Sequence, residues 1–93
     1  MRKYNLEYRG AQLGVEVNNE LNSSLYINGM RRDSRSPLAV PGRCTLSSTV
    51  QTDYEWHEFI EADIVLSEAE IVITLSANNA ALGSETFILN AAS

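Results

Sequence analysis

Alternation with a period of two runs through most of this 93-residue chain, a pattern that fits half-buried β-strands and not helices over the same residues. Tyr4, Leu6 and Tyr8 alternate with Asn5, Glu7 and Arg9; past Gly10, Ala11, Leu13, Val15 and Val17 alternate with Gln12, Gly14, Glu16 and Asn18. The same rhythm sets Cys44, Leu46, Ser48 and Val50 against Thr45, Ser47, Thr49 and Gln51. Because successive side chains of a strand point to opposite faces, each apolar set predicts one core-facing surface. Ile60, Ala62, Ile64 and Leu66 are predicted to face inward with Glu61 and Asp63 outward, and Ile71, Ile73 and Leu75 begin the next inward face.

Turn chemistry separates these runs. Asn28 and Gly29 tolerate the positive φ angles of a type I′ turn, so residues 24–33 are expected to form a hairpin. Its simplest register sets Ile27 opposite Met30, Tyr26 opposite Arg31, and Leu25 opposite Arg32. The last pair is a conflict, resolved if Arg32 lays its stem over apolar surface or if the ladder frays there. Residues 34–42 read as irregular, with Pro37 and Pro41 as breakers. Asn78, Asn79, Gly83 and Ser84 are expected to bracket an Ala-rich loop before a last strand over 85–89.

Residues 53–66 admit two readings. Thr52 with Glu55 suits a helix capping box, followed by Trp56, Phe59 and Ile60 on one face. That face fails at Asp63 and Ser67, so the strand is preferred from Phe59 onward, with a bulge or one helical turn near residues 53–58. Turn signals recurring about every 8–12 residues give the spacing of a sandwich or barrel. The expectation is one all-β domain over residues 1–93, a small antiparallel sandwich or partly open barrel of six to eight strands. The alternative is an α+β fold with a helix over 53–64. No internal repeat is visible.

Charge is distributed unevenly. All seven basic residues lie within the first 43 positions, against Glu7, Glu16, Glu20 and Asp33, while the rest carries eight carboxylates and neither Lys nor Arg. The two parts are +3 and −8, which gives the net −5. Segments of opposite charge tend to meet, within a fold or between copies. Net acidity argues against nucleic acid or an anionic membrane as partner. The longest apolar runs are far too short to cross a bilayer, and no apolar stretch follows the charged start of the chain. Cys44, the lone cysteine, excludes an internal disulfide and suits a reducing, cytoplasmic setting.

Candidate functional residues fall in two groups. Arg31, Arg32, Arg35 and Arg43 flank the Pro-containing stretch, and guanidinium groups pair carboxylates or phosphates in forked geometry. Asp53, Glu55, Glu58, Glu61, Asp63, Glu68 and Glu70 form an acidic run that reads as a solvated face or as the counterpart of those arginines. On an extended segment His57, Glu61 and Asp63 point the same way, which is three of the ligands a divalent cation takes; without a second His or Cys nearby, no metal is expected. Cys44 with His57 lacks any local signature of a nucleophile and base, and Glu58 with Glu61 resembles the paired carboxylates of many exposed hairpins. Neither phosphate-cradling glycine loop nor nucleophile elbow is present, and no cofactor is expected.

The leading functional expectation is a non-enzymatic interaction module, self-associating as a homodimer or binding another protein through the arginines and through Glu58 and Glu61. The alternative is a small-ligand-binding protein or minor enzyme with a pocket beside Trp56 and His57.

Overall fold

The computed structural model describes residues 2–18, 20–35, 41–51 and 57–88. They form eight strands and no helix: β1 (Arg2–Tyr8), β2 (Ala11–Val17), β3 (Ser23–Ile27), β4 (Met30–Arg35), β5 (Gly42–Gln51), β6 (His57–Leu66), β7 (Glu70–Ala77) and β8 (Ala80–Ile88). The α+β alternative is thereby overturned, since His57 to Ile64 lie inside β6. Trp56 and the expected capping box fall outside the described residues. Two four-stranded antiparallel sheets, β1-β2-β3-β4 and β5-β6-β7-β8, each follow chain order and pack as a small sandwich.

The expected inward faces meet between the sheets. Leu13, Val15, Val17, Leu25 and Ile27 of the first sheet and Leu46, Ile60, Ile64, Leu66, Ile71, Ile73 and Leu75 of the second are buried. Both sheets are meanders, each strand pairing antiparallel with the next in chain order, and two-residue turns join β1 to β2, β3 to β4 and β7 to β8. These three turns share one geometry: Arg9 with Gly10, Asn28 with Gly29, and Asn78 with Asn79 all have positive φ. Two positive φ angles in succession are what a type I′ turn requires.

The Leu25–Arg32 conflict has a different resolution from either one expected. A bulge falls between Leu25 and Tyr26, so Leu25 pairs with Asp33 and Arg32 becomes the extra residue. One inserted residue resets parity, so that Asp33 takes the place opposite Leu25 with its carboxylate hydrogen-bonded by the Ser47 N–H and Arg35. β4 accordingly runs to Arg35, into a stretch read as irregular. The Ala-rich loop is also corrected: Ala80 and Ala81 open β8, and Gly83 and Ser84 lie within it.

Although no repeat is legible in the sequence, the two meanders share the same strand order and end in matching hairpins. In β7–β8, Ala77 pairs with Ala80 and Ser76 with Ala81, and a bulge then sets Leu75 opposite Gly83. In β3–β4, Ile27 pairs with Met30, Tyr26 with Arg31, and Leu25 with Asp33. The turn asparagines match in detail. Asn28 donates its backbone N–H to the Gln12 carbonyl at 2.8 Å, and its Oδ1 accepts the Gln12 N–H at 2.9 Å. Asn78 does the same to Phe59, at 2.8 and 3.0 Å. These correspondences place Leu82, Gly83 and Glu85 where the first meander has Arg32, Asp33 and Arg35.

Strand direction fixes how the meanders are related. Contacts from Arg32, Asp33 and Arg35 descend along β5 from Thr49 through Ser47 to Thr45, so β4 and β5 run antiparallel. Gly83 of β8 lies beneath Tyr4 and Leu6 of β1 on the opposite side of the sandwich. An approximate half-turn about an axis along the strands therefore exchanges the meanders, and with them the β4–β5 side and the β8–β1 side.

A Cβ added at Gly83 would overlap the Tyr4 hydroxyl, with Leu6 3.6 Å away. Gly83→Ala is expected to lower unfolding free energy by ~1–3 kcal/mol, the usual cost of overpacking. Tyr4→Phe removes the overlapped oxygen, so the double variant should regain much of the loss in urea titrations. An unchanged midpoint for Gly83→Ala would show that the two strands are not packed this closely.

Candidate functional site

The polar features of the sandwich gather in three places. The first is the side where β4 meets β5. Residues in an antiparallel edge strand alternate between bonding to their neighbour and pointing backbone groups outward. On β5 the outward groups belong to Thr45, Ser47 and Thr49, and β4 covers them with side chains. Asp33 Oδ2 accepts the Ser47 N–H at 3.0 Å, while Arg32 and Arg35 donate to the Thr49 and Thr45 carbonyls at 3.5 Å each. Asp33 Oδ1 also accepts from Arg35 at 2.9 Å and from the Ser34 N–H at 2.9 Å. Together these contacts form a clamp that closes one flank.

The Ser47 N–H bond is the main reason the Asp33 carboxyl is held below its ordinary 3.8, with the Ser34 N–H and Arg35 helping and partial desolvation opposing. A carboxyl depressed in the fold contributes stability above its unfolded pKa and loses it as pH falls through the folded value. Acidification from neutrality to below ~3.8 should therefore cost the parent chain more stability than Asp33→Asn, whose acid limb should be flatter. Parallel limbs in urea titrations across that range would refute the clamp.

The second place is one end of the sandwich, where Glu58 is buried at 3% exposure, on the core face of β6. Its Oε1 accepts from Tyr8 Oη at 2.8 Å, Arg9 Nη1 at 3.1 Å and Asn78 Nδ2 at 3.0 Å. The end of β1 and two turns are thereby tied to one carboxylate of β6, and donors of this kind offset the cost of burying such a group. The hydrogen bond to Glu58 holds the Tyr8 phenol above its ordinary value. The expectation of Glu58 as a surface partner for arginines, paired with Glu61, is corrected: Glu61 lies on the opposite face. Its place in the alternation, in phase with Ile60 and Ala62, was the available signal.

The third place is the outer face of the second sheet. Arg43 donates to both oxygens of Asp63, at 2.9 Å each, beside Thr45. This fork keeps the Arg43 guanidinium protonated beyond its usual range. Thr74, Ser76, Glu61 and Asn79 complete a shallow polar cleft there. Arg31 stands apart, on a polar cleft with Asn22, Ser24, Ser34 and Arg35.

The expected site residues are thus dispersed. Arg32 and Arg35 serve the clamp, Arg43 is occupied by Asp63, and Arg31 is exposed. His57 is exposed on the outward face of β6, and Trp56 lies outside the described residues. His57, Glu61 and Asp63 do share that face, yet among the described residues no group of three His, Cys, Asp or Glu is gathered to hold a metal. Cys44 faces the interior, 3.6 Å from Ser23 Oγ, and pairs in register with Ile64. Seven residues of strand, ~23 Å, separate that level from His57, so the two cannot act as nucleophile and base. Sequence reading missed Tyr8, Arg9, Asp33 and Asn78, which carry most of the polar network.

The opposing charges of the chain meet partly within the fold, through Arg9–Glu58 and Arg43–Asp63. Among the described residues no helix is long and apolar enough to cross a membrane. The arrangement defines a two-meander β-sandwich whose charged side chains brace structure. Compared with protein families, with curated proteins and with solved structures, the chain matches none.

Proposed function

We propose that this domain is a non-enzymatic interaction module that self-associates as a homodimer in a reducing, cytoplasmic compartment. One observation carries the reading: the flank between β4 and β5 is closed by a side-chain clamp, and the equivalent flank between β8 and β1 has none. Among the described residues no side chain of β8 donates to or accepts from the β1 backbone, and both strands have a neighbour on one side alone. Unpaired strand edges are templates for association. The dispersal of His57, Cys44 and the carboxylates over separate faces supports binding in preference to catalysis. The compartment rests on the single thiol, Cys44.

Light scattering on a sizing column at low and high salt tests this reading. A dimer indifferent to salt is expected, because backbone pairing and apolar contact are screened far less than exposed ion pairs. A dimer that dissociates with salt would return the association to the charged surface. A monomer under both conditions would refute the module as a self-associating one.

A further inference from the structure

We infer that two copies of this chain join by pairing β1 of each with β8 of the other, antiparallel, about a two-fold axis running along the strands. This rests on the self-association proposed above and specifies its interface. Tyr8 pairs with Ala11 across a two-residue turn and so bonds to β2, which leaves Lys3, Asn5 and Glu7 directing N–H and C=O outward. On β8, Gly83, Glu85 and Phe87 pair into β7, and Ser84, Thr86 and Ile88 face outward. Neither set contains a proline, so every outward N–H is available.

The internal half-turn shows how such an edge is handled where it must stay closed. Thr45, Ser47 and Thr49 on β5 correspond to Lys3, Asn5 and Glu7 on β1. Arg32, Asp33 and Arg35 cap the former, whereas their counterparts Leu82, Gly83 and Glu85 leave the latter uncapped. Side chains occupy the outward groups of β5 and of Ser34 on β4, which disfavours a further strand there, and a closed two-fold pairing at the open flank stops at two copies instead of growing into a fibre.

β1 and β8 run antiparallel within one chain and lie on the same flank. A two-fold axis along the strands therefore sets β1 beside β8 of the partner subunit in the antiparallel sense, and sets β8 beside the partner subunit's β1 as well. Heights along the axis are preserved, so the register is already given. Gly83 lies beneath Tyr4 and Leu6, at the level of Asn5, which leaves the adjacent outward-facing Ser84 of the partner subunit within one residue of Asn5. Charge is compatible with this pairing: β1 carries Arg2, Lys3 and Glu7, Lys3 lying 3.6 Å from Glu16, while the single charge on β8 is Glu85, near the basic end of β1 in this register. Half-buried Tyr4, Leu6, Leu82 and Phe87 line the open flank against the core, and a second copy completes their cover.

The test uses the full chain carrying Cys44→Ser, to which Asn5→Cys, Ser84→Cys, or both are added before oxidation. A mixture of the two single variants is expected to form a disulfide-linked dimer, the double variant likewise, and each single variant alone to remain uncrosslinked. Cα separations in an antiparallel pair suit a disulfide. As a second variant, Thr86→Pro removes an outward N–H that β7 does not use. It should keep the β-sheet circular dichroism and weaken dimerisation ~10-fold or more. A dimer by light scattering in which Asn5→Cys links to itself, or in which the mixture does not link, overturns the β1–β8 pairing and leaves self-association standing. A parent chain that is monomeric overturns both.

Discussion

Leu25→Ala and Leu75→Ala are each expected to destabilise the domain by ~2–5 kcal/mol, a large share of the total stability of a chain this size. Both leucines are fully buried, and they occupy matching positions in the two meanders, each opposite the residue that follows a bulge. Truncation removes the transfer free energy of three carbons and leaves a cavity that surrounding strands fill only in part. The two sites differ in what anchors the strand across the bulge. Leu25 pairs with Asp33, which is tied to β5, whereas Leu75 pairs with Gly83 on an edge that the described residues leave unclamped. The β8 side can relax further, so Leu25→Ala should cost more than Leu75→Ala. Urea unfolding monitored by circular dichroism measures both; equal losses below ~1 kcal/mol would mean that the sheets are not packed face to face as described.

Strand positions and inward faces were legible in the sequence because a strand buried on one face must alternate, and Leu13, Ile64 and Ile73 sit where that alternation puts them. Other features depend on where the chain's partners lie. The clash between Leu25 and Arg32 was visible as a clash, but its remedy was a bulge, which costs one residue of register and leaves no mark in composition. Ala80 and Ala81 were misread as loop because alanine has low strand propensity, and propensity yields when a type I′ turn folds the chain back on a buried strand. The acidic run obscured Glu58. Charge density suggested a solvated strip, whereas period-two parity had already placed this carboxylate among Ile60 and Ala62.

The repeat escaped notice for a related reason. The matched hairpins share little beyond a leucine three residues before an asparagine, Leu25 with Asn28 and Leu75 with Asn79's neighbour Asn78. What they share is geometry: two positive φ angles, a bulge in the same place, and an asparagine reaching across to the next strand. Around that common frame the two flanks have diverged. Arg32, Asp33 and Arg35 bridge one to the neighbouring sheet, whereas among the described residues Leu82, Gly83 and Glu85 make no such bonds on the other, the flank proposed for association.

Asn78→Ala is expected to destabilise the domain by about 3 kcal/mol, and Asn28→Ala by about 2 kcal/mol. Each substitution puts an L-residue without a compensating side chain at positive φ, 51° and 52° respectively, for roughly 1 kcal/mol. Each also removes an Oδ1 acceptor from a strand N–H, Phe59 or Gln12, for about 1 kcal/mol more. These parts are common to both sites because the turns are copies. Asn78 alone donates to Glu58, and the difference between the variants therefore reports that bond to a buried carboxylate. In Asn78→Gly the backbone term vanishes, so about 2 kcal/mol should remain, and in Asn28→Gly about 1 kcal/mol. If Asn28→Ala and Asn78→Ala cost the same, the Asn78–Glu58 bond contributes nothing, and the polar cluster at that end is held by Tyr8 and Arg9 without it.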